Sequence, residues 1–116
     1  MKRKLLFIVR SDPRTSARPA EAVRIAAGIG AWQGVGIRLY LHGEAARLLR
    51  EDADLLVDGE LYERYLPDIA GWGQPVLVEA SAHDRILSAP PSIPAGPVQP
   101  PALAELAAAC DGVLTF

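Results

Sequence analysis

The only thiol in this sequence of 116 residues is Cys110, and a thiolate could act as a nucleophile or carry a sulfur atom. It shares helical spacing with Leu103, Leu106 and Ala107, which places the sulfur on the apolar face of the last predicted helix. A free cysteine on such a face usually packs as a small apolar side chain. Its charged neighbour Asp111 disfavours the thiolate. We therefore expect a structural cysteine rather than a reactive one.

The two histidines, His42 and His83, could shuttle protons or bind a metal ion, because imidazole titrates near neutral pH and ligates metals. No third ligand is predicted beside them, so we expect no metal site. His42 ends a predicted strand, and a bond to the backbone is the favoured interpretation. A hydrolase triad of Ser81, His83 and Asp84 is disfavoured, because three neighbours within one turn seldom converge. The spacing of Ser81 and Asp84 instead predicts a capping box at a helix start.

A polar turn with the sequence Ser11-Asp12-Pro13-Arg14 follows the first predicted strand. Arg14 and the nearby Arg18, together with N–H groups of the following helix, could bind an anion. Asp12-Pro13 is equally ordinary turn chemistry, because both residue types favour tight turns. The sequence leaves both interpretations open.

Composition limits the kinds of protein that this chain can be. A chain of 116 residues with 50% hydrophobic side chains predicts one folded domain over residues 1–116. Its net charge of −2 argues against a nucleic-acid partner, because phosphate binding needs surplus cations. The single cysteine excludes an internal disulfide and favours a cytoplasmic protein. The apolar run Leu5–Val9 is too short for a signal peptide or a membrane span, and no dinucleotide motif predicts a cofactor.

The elements that must position these side chains alternate between strands and helices. The predicted strands are Leu5–Val9, Ile37–Leu41, Val76–Glu79 and Val113–Phe116. The predicted helices run from Pro19 to the residue before Gly34, over Glu44–Arg50, over Glu60–Gly71 with a kink or restart at Pro67, and over Ala102–Ala109. This order predicts an α/β fold, namely a three-layer α/β/α single domain with a mostly parallel sheet of about five strands. The Pro-rich segment Ser88–Pro101 reads as a loop within it, with room for a short strand near Val98.

The second predicted strand alternates apolar with polar side chains. Ile37, Leu39 and Leu41 point to one face, whereas Arg38 and Tyr40 point to the other. A strand covered on both faces would be apolar throughout. We therefore expect a less central position for this strand, or a face completed by another subunit.

Sites in open parallel sheets lie at the edge where the strands carry their carboxyl ends. The predicted binding residues at that edge are Ser11, Asp12, Arg14, His42, Ser81 and His83. Cys110 precedes the last strand and therefore lies near the opposite edge. Trp32 and Trp72 fall near helix ends, where packing or subunit contacts are the favoured interpretation.

Three stretches of the sequence resemble the DsrE/DsrF-like family, which includes sulfur-relay subunits of tRNA thiolation and of dissimilatory sulfur oxidation. The first is residues 5–27, with the turn Ser11-Asp12-Pro13. The second is residues 39–49, LYLHGEAARLL, and the third is residues 103–116, which end in ACDGVLTF. The resemblance implies the family's fold and an assembly into trimers or hexamers.

Sulfur-carrying members of that family hold a persulfide on a cysteine just after the third main strand. Ala80 and Ser81 stand there in this sequence, and a serine hydroxyl cannot hold a persulfide. The resemblance therefore implies a small, non-catalytic binding or structural subunit. One alternative is a sulfur carrier or sulfurtransferase that uses Cys110 with a sulfur-relay protein partner. The other is a binder of small anions or small molecules at the carboxyl edge.

Overall fold

The computed structural model describes residues 3–32, 34–72, 74–87, 91 and 93–116. The strands are β1 (Arg3–Val9), β2 (Val35–Leu41), β3 (Val76–Glu79), β4 (Ala95–Val98) and β5 (Gly112–Thr115). The α-helices are α1 (Arg18–Gly30), α2 (Glu60–Ala70), α3 (Ala80–Ile86) and α4 (Pro100–Ala109). Two 3₁₀ helices, Gly43–Leu49 and Ala53–Leu55, connect β2 to α2. The order of strands and helices confirms the predicted α/β class.

The sheet has the strand order β4-β3-β2-β1-β5, and every neighbouring pair is parallel. Phe7 on β1 lies opposite Leu39 on β2 and Leu114 on β5. Since β2 is the middle strand, the expectation of a less central position is wrong. Tyr40 is only 3% exposed, because α4 covers the face to which it and Arg38 point.

The larger part of the core lies between the sheet and α1, α2, α3 and the first 3₁₀ helix. Ala22, Val23 and Ala26 are fully buried on α1, and their small side chains let the helix pack closely on the strands. Phe7 and Leu41 fill the strand side of this layer. Each such buried Phe or Leu contributes about 1.5–3 kcal/mol to stability.

Among the described residues, α4 alone covers the opposite face of the sheet. Leu6, Tyr40 and Leu77 form a small buried cluster there. The residues that pack on this cluster from α4 and its end are all only partly buried: Leu103, Leu106, Ala107 and Cys110. No residue of α4 is itself buried, so the two faces of the sheet differ strongly in their cover.

Helix α2 continues through Pro67 without the predicted restart. Pro67 has no N–H and cannot donate the helix hydrogen bond to the carbonyl of Glu63. Both residues are exposed, so water can donate to that carbonyl instead. The buried residues of α2 are Tyr62, Leu66 and Ile69, and the helix packs against α1.

The predicted Pro-rich loop contains regular structure in its second half. Ala95–Val98 forms the edge strand β4, as the pattern near Val98 allowed. Pro100 and Pro101 open α4, because proline is tolerated in the first turn of a helix. Residues 88–90 and 92 of the predicted loop lie outside the described residues.

Candidate functional site

The carboxyl ends of β2 and β3 bring His42 and Glu79 together. His42 Nδ1 lies 3.3 Å from Glu79 Oε2, and the backbone N–H of Gly43 donates to Glu79 Oε1 at 3.2 Å. Gly43 has φ +58°, a backbone conformation that glycine adopts without a steric cost. The carboxylate of Glu79 therefore occupies two donors that an external anion would otherwise meet.

The hydroxyl of Tyr40 lies 3.4 Å from His42 Nδ1. Burial, with a smaller contribution from the charge of Glu79, raises the pKa of Tyr40, so the phenol stays neutral at physiological pH. The ring of His42 thus contacts these two side chains, whereas the sequence favoured a backbone bond. The imidazole is half-exposed, and its Nδ1 atom faces both Glu79 and Tyr40.

The polar turn after β1 is held together by its own charges. Asp12 Oδ1 accepts the backbone N–H of Arg14 at 2.9 Å, and Asp12 Oδ2 accepts its guanidinium at 2.8 Å. The hydrogen bond from that side chain holds the pKa of Asp12 below its ordinary value. Arg14 also lies 3.5 Å from Glu44. Turn chemistry therefore accounts for the Asp12 side chain, and two carboxylates already compensate the Arg14 cation.

Glu44 is the centre of the charge network along this edge. It accepts hydrogen bonds from the guanidinium groups of Arg47 and Arg85, and the Arg85 bond measures 3.1 Å. The bond from Arg47 is the main cause of the lowered pKa of Glu44. Arg47 also contacts Glu51 at 3.0 Å. Arginines and carboxylates alternate here, so the positive and negative charges of the network nearly neutralise one another.

The predicted capping box at Ser81 is wrong. Helix α3 begins at Ala80, directly after β3, and Glu79 stands at its N-cap without a side-chain capping bond. Ser81 is therefore the second residue of the helix, and its side chain is exposed. His83 lies on the same helix, 4.0 Å from the exposed Asp84. Within the described residues, no hydrogen bond links Ser81 to a histidine, as a triad would require.

A search for metal ligands gives no further site among the described residues. No three side chains of His, Cys, Asp or Glu converge there in a geometry that could hold a metal ion. None of the helices in the described ranges combines the length and apolar character that crossing a membrane requires.

The opposite edge of the sheet, where the strands begin, holds a cavity of about 670 Å³. Trp72, which follows α2, packs against Gly30 at the end of α1, where a Cβ atom would collide with the indole ring. Trp32 lies beside it and is 71% exposed. Both tryptophans of the chain therefore line one cavity, which the sequence did not predict.

Cys110 also lines this cavity. It stands at the C-cap of α4 and packs against the cluster of Leu6 and Leu77, as the apolar spacing predicted. The side chain is only partly buried, however, so the thiol is not sealed within the core. The cause is the sparse cover on this face, where α4 has no further helix behind it.

Two basic side chains that the sequence did not single out complete the cavity. Lys4 on β1 and Arg38 on β2 both belong to its lining. The Nε atom of Arg38 is buried and has no hydrogen-bond partner in the described part of the chain. The sequence signal for this site was the alternation of apolar and polar side chains in β2, which places Arg38 on the face that α4 covers.

Comparisons with known proteins identify a fold but no family. No family model matches the chain, and a search of curated proteins found no match. The crystal structure of the ychN protein from E. coli is similar, with a TM-score of 0.83 and 20% sequence identity. The match covers 98% of this chain and 99% of that chain. This likeness supports the DsrE/DsrF-like fold that the three sequence stretches implied.

Proposed function

We propose that this protein is a non-catalytic binding or structural subunit of DsrE-like fold that acts as a homo-oligomer in the cytoplasm. The observation that carries the proposal is helix α4, whose side chains are all apolar except Glu105 but which has no buried residue. A helix of that composition is normally covered by protein. A second copy of the chain is the partner that this surface fits best.

The outer surface of α4 consists of alanine and proline with one charged residue, Glu105. Alanine surfaces allow two helix backbones to approach closely, and this one presents few charges that a partner would have to match. Val113 on β5 is 45% exposed and stands opposite Leu6 in the parallel register, so it faces the same side as α4. A stable contact buries about 800 Å² on each partner, and the surface of α4 with Val113 is continuous enough to contribute to one.

The carboxyl edge supports a non-catalytic role. The Arg14 cation and the imidazole of His42 already lie against Asp12, Glu44 and Glu79. An incoming anion would have to displace these carboxylates and would meet their repulsion. Binding of a small anion at this edge, the second alternative from the sequence, is therefore disfavoured.

The test is sedimentation velocity at micromolar concentration. We expect the wild-type protein to sediment as an oligomer and Ala104→Glu to sediment as a monomer, because the contact would then have to desolvate a second carboxylate beside that of Glu105. Leu55→Glu is the matched control, since Leu55 is an exposed apolar residue outside α4, 62% accessible to solvent. A monomeric wild-type protein, or equal dissociation by both variants, would refute self-association through α4.

A second candidate function is sulfur transfer through Cys110. It is favoured by the partial exposure of the thiol at a cavity, where a partner's persulfide could approach it. In this reaction the Cys110 thiolate takes the outer sulfur from the persulfide of a cysteine desulfurase, whose own thiol is released. Intact-mass measurement after incubation with a desulfurase and cysteine tests it. A sulfur adduct that maps to Cys110 supports the function; no adduct, with alkylation only after denaturation, excludes it.

A further inference from the structure

The cavity at the amino edge of the sheet combines features that the proposed self-association does not use. It is bounded by the ends of α1 and α4, by the start of β2 and by the segment after α2. Its volume of about 670 Å³ lies in the range of ordinary small-molecule sites. Leu106 and Cys110 line it from the side of α4 that faces the sheet, so it does not depend on the outer surface of that helix.

The walls of the cavity suit a flat apolar ligand. The ring of Trp72 lies against Gly30, and the side chain of Ile37 approaches the same glycine. Trp32 leaves most of its surface exposed at the same opening. Aromatic rings prefer offset or edge-to-face contacts with other aromatic rings, and a bound ring would remove both indoles from water.

The charged groups of the cavity suit a ligand with one anionic group. Its lining contains the cations Lys4 and Arg38 but no acidic side chain. The nearby carboxylate of Asp111 accepts the backbone N–H of Lys4 at 2.7 Å. A buried donor without a partner is unfavourable, so a side-chain rotation that brings the Nε atom of Arg38 to a ligand oxygen in the cavity is favoured.

Helix ends limit how much negative charge the site can accept. α1 and α4 both end at this cavity, and the C-terminus of a helix carries about half a negative charge. These two partial charges offset about one of the two positive charges of Lys4 and Arg38. The remaining charge matches one carboxylate rather than a dianion such as a phosphate monoester.

We propose that this cavity binds a planar, apolar monocarboxylate, with its ring system against Trp32 and Trp72 and its carboxylate on Arg38. The proposal deepens the binding role proposed above and rests on it, but it does not rest on self-association. Lys4 lies within the same lining and supplies the second positive charge.

The two tryptophans give the experiment a direct readout. Since the chain has only two, a proton–nitrogen correlation spectrum shows two indole N–H signals, and both report on this cavity. The probe is 2-naphthoate, titrated into the full-length protein, with 2-naphthamide and 2-naphthyl phosphate as matched neutral and dianionic probes. We expect saturable shifts of both signals with 2-naphthoate and weaker binding of the other two probes.

Arg38→Gln should weaken binding of 2-naphthoate by about tenfold or more, because it removes the charged donor. Arg24→Gln is the matched control, since Arg24 lies exposed on α1 in an ion pair with Glu21. If Arg38→Gln fails to fold, Trp32→Ala is used instead. This variant lacks one stacking surface and should bind 2-naphthoate more weakly, which the remaining indole signal of Trp72 measures.

The site is refuted if neither indole signal shifts up to the solubility limit of 2-naphthoate. Equal binding of 2-naphthamide, or of the phosphate, refutes the assignment of one negative charge. Equal affinity of Arg38→Gln and the wild-type protein refutes the role of Arg38. Sedimentation of Ala104→Glu is a separate measurement, so failure of the ligand site and failure of self-association are distinguishable.

Discussion

The two edges of the sheet differ in whether their charged side chains have partners within the protein. At the carboxyl edge, the cations Arg14 and Arg47 and the imidazole of His42 each contact a carboxylate. At the amino edge, Arg38 has a buried Nε atom without a partner among the described residues and stands near exposed tryptophans. The polar groups of the carboxyl edge are therefore paired with one another, whereas the amino edge has a hydrogen-bond donor without a partner among the described residues.

This difference shows that the type of a polar side chain does not decide whether it is free to bind a ligand. His42 is a reactive residue type, but Glu79 already contacts its ring and competes with any ligand. An isolated donor beside an apolar wall has no such competitor. The desolvation cost of that donor is already present in the protein, so a ligand that bonds to it meets a smaller penalty.

The largest effect should come from two glycines in the same helix. Gly30→Ala forces a Cβ against the ring of Trp72, and overpacking of this kind costs about 1–3 kcal/mol. Gly28→Ala meets no atom within 4 Å and should stabilise α1 by about 0.5–1 kcal/mol, because alanine favours a helix over glycine. The free energies of unfolding of the two variants should therefore differ by about 2 kcal/mol or more in urea denaturation.

The same pair of variants reports on the cavity wall. Gly30→Ala should also shift tryptophan emission to longer wavelength, because Trp72 moves into water, whereas Gly28→Ala should leave the emission unchanged. Equal stability of both variants with unchanged emission would contradict the close contact of Gly30 with Trp72. The amino edge would then lack the ordered aromatic wall on which the comparison of the two edges depends.

Much of the fold was predictable because its signals are local. The continuous apolar run in β1, the small side chains of α1 and the turn residues between elements indicate an α/β chain without any knowledge of contacts. The likeness to a solved structure confirms that class. The position of β2 was not predictable in this way, since its polar face is buried by α4, a helix far away in the sequence.

The sites were harder to predict because they depend on distances between elements. The sequence suggested the carboxyl edge correctly as a meeting point for His42, but it did not reveal that Glu79 would hold the ring. The start of α3 one residue before Ser81 was enough to remove the capping box. The cavity was missed because Arg38 and Trp72 become neighbours only when β2 and the end of α2 meet.

An intermediate effect should follow from removal of the carboxylate at the end of β3. Glu79→Ala leaves the Gly43 N–H and the His42 ring without their acceptor, so stability should fall by about 1–2 kcal/mol. Glu79→Gln is the matched control, because its carbonyl oxygen can still accept one of these bonds. Its loss of stability should therefore be about half of that in Glu79→Ala. Chemical denaturation measures both. Wild-type stability in Glu79→Ala would mean that the carboxyl edge is not held together by this residue.

The smallest effect should be the acid dependence of the charged turn. The pKa values of Asp12 and Glu44 are lowered by hydrogen bonds from Arg14 and Arg47, respectively. Their contribution to stability is therefore fully present above the ordinary values of 3.8 and 4.5 and is lost as the pH falls through the lower folded values. Solvent screening limits the combined contribution to less than about 1 kcal/mol.

Thermal unfolding between neutral pH and pH 3 measures this loss, and Asp12→Asn should show a flatter pH dependence because one of the two carboxylates is absent. Added salt should flatten the wild-type profile in the same direction, since these groups are exposed to screening. Arg38→Gln should keep the wild-type profile, because the amino-edge cavity contains no carboxylate in its lining. A flattened profile in Arg38→Gln would show that the two edges are coupled, and the separation between a satisfied edge and an open one would have to be abandoned.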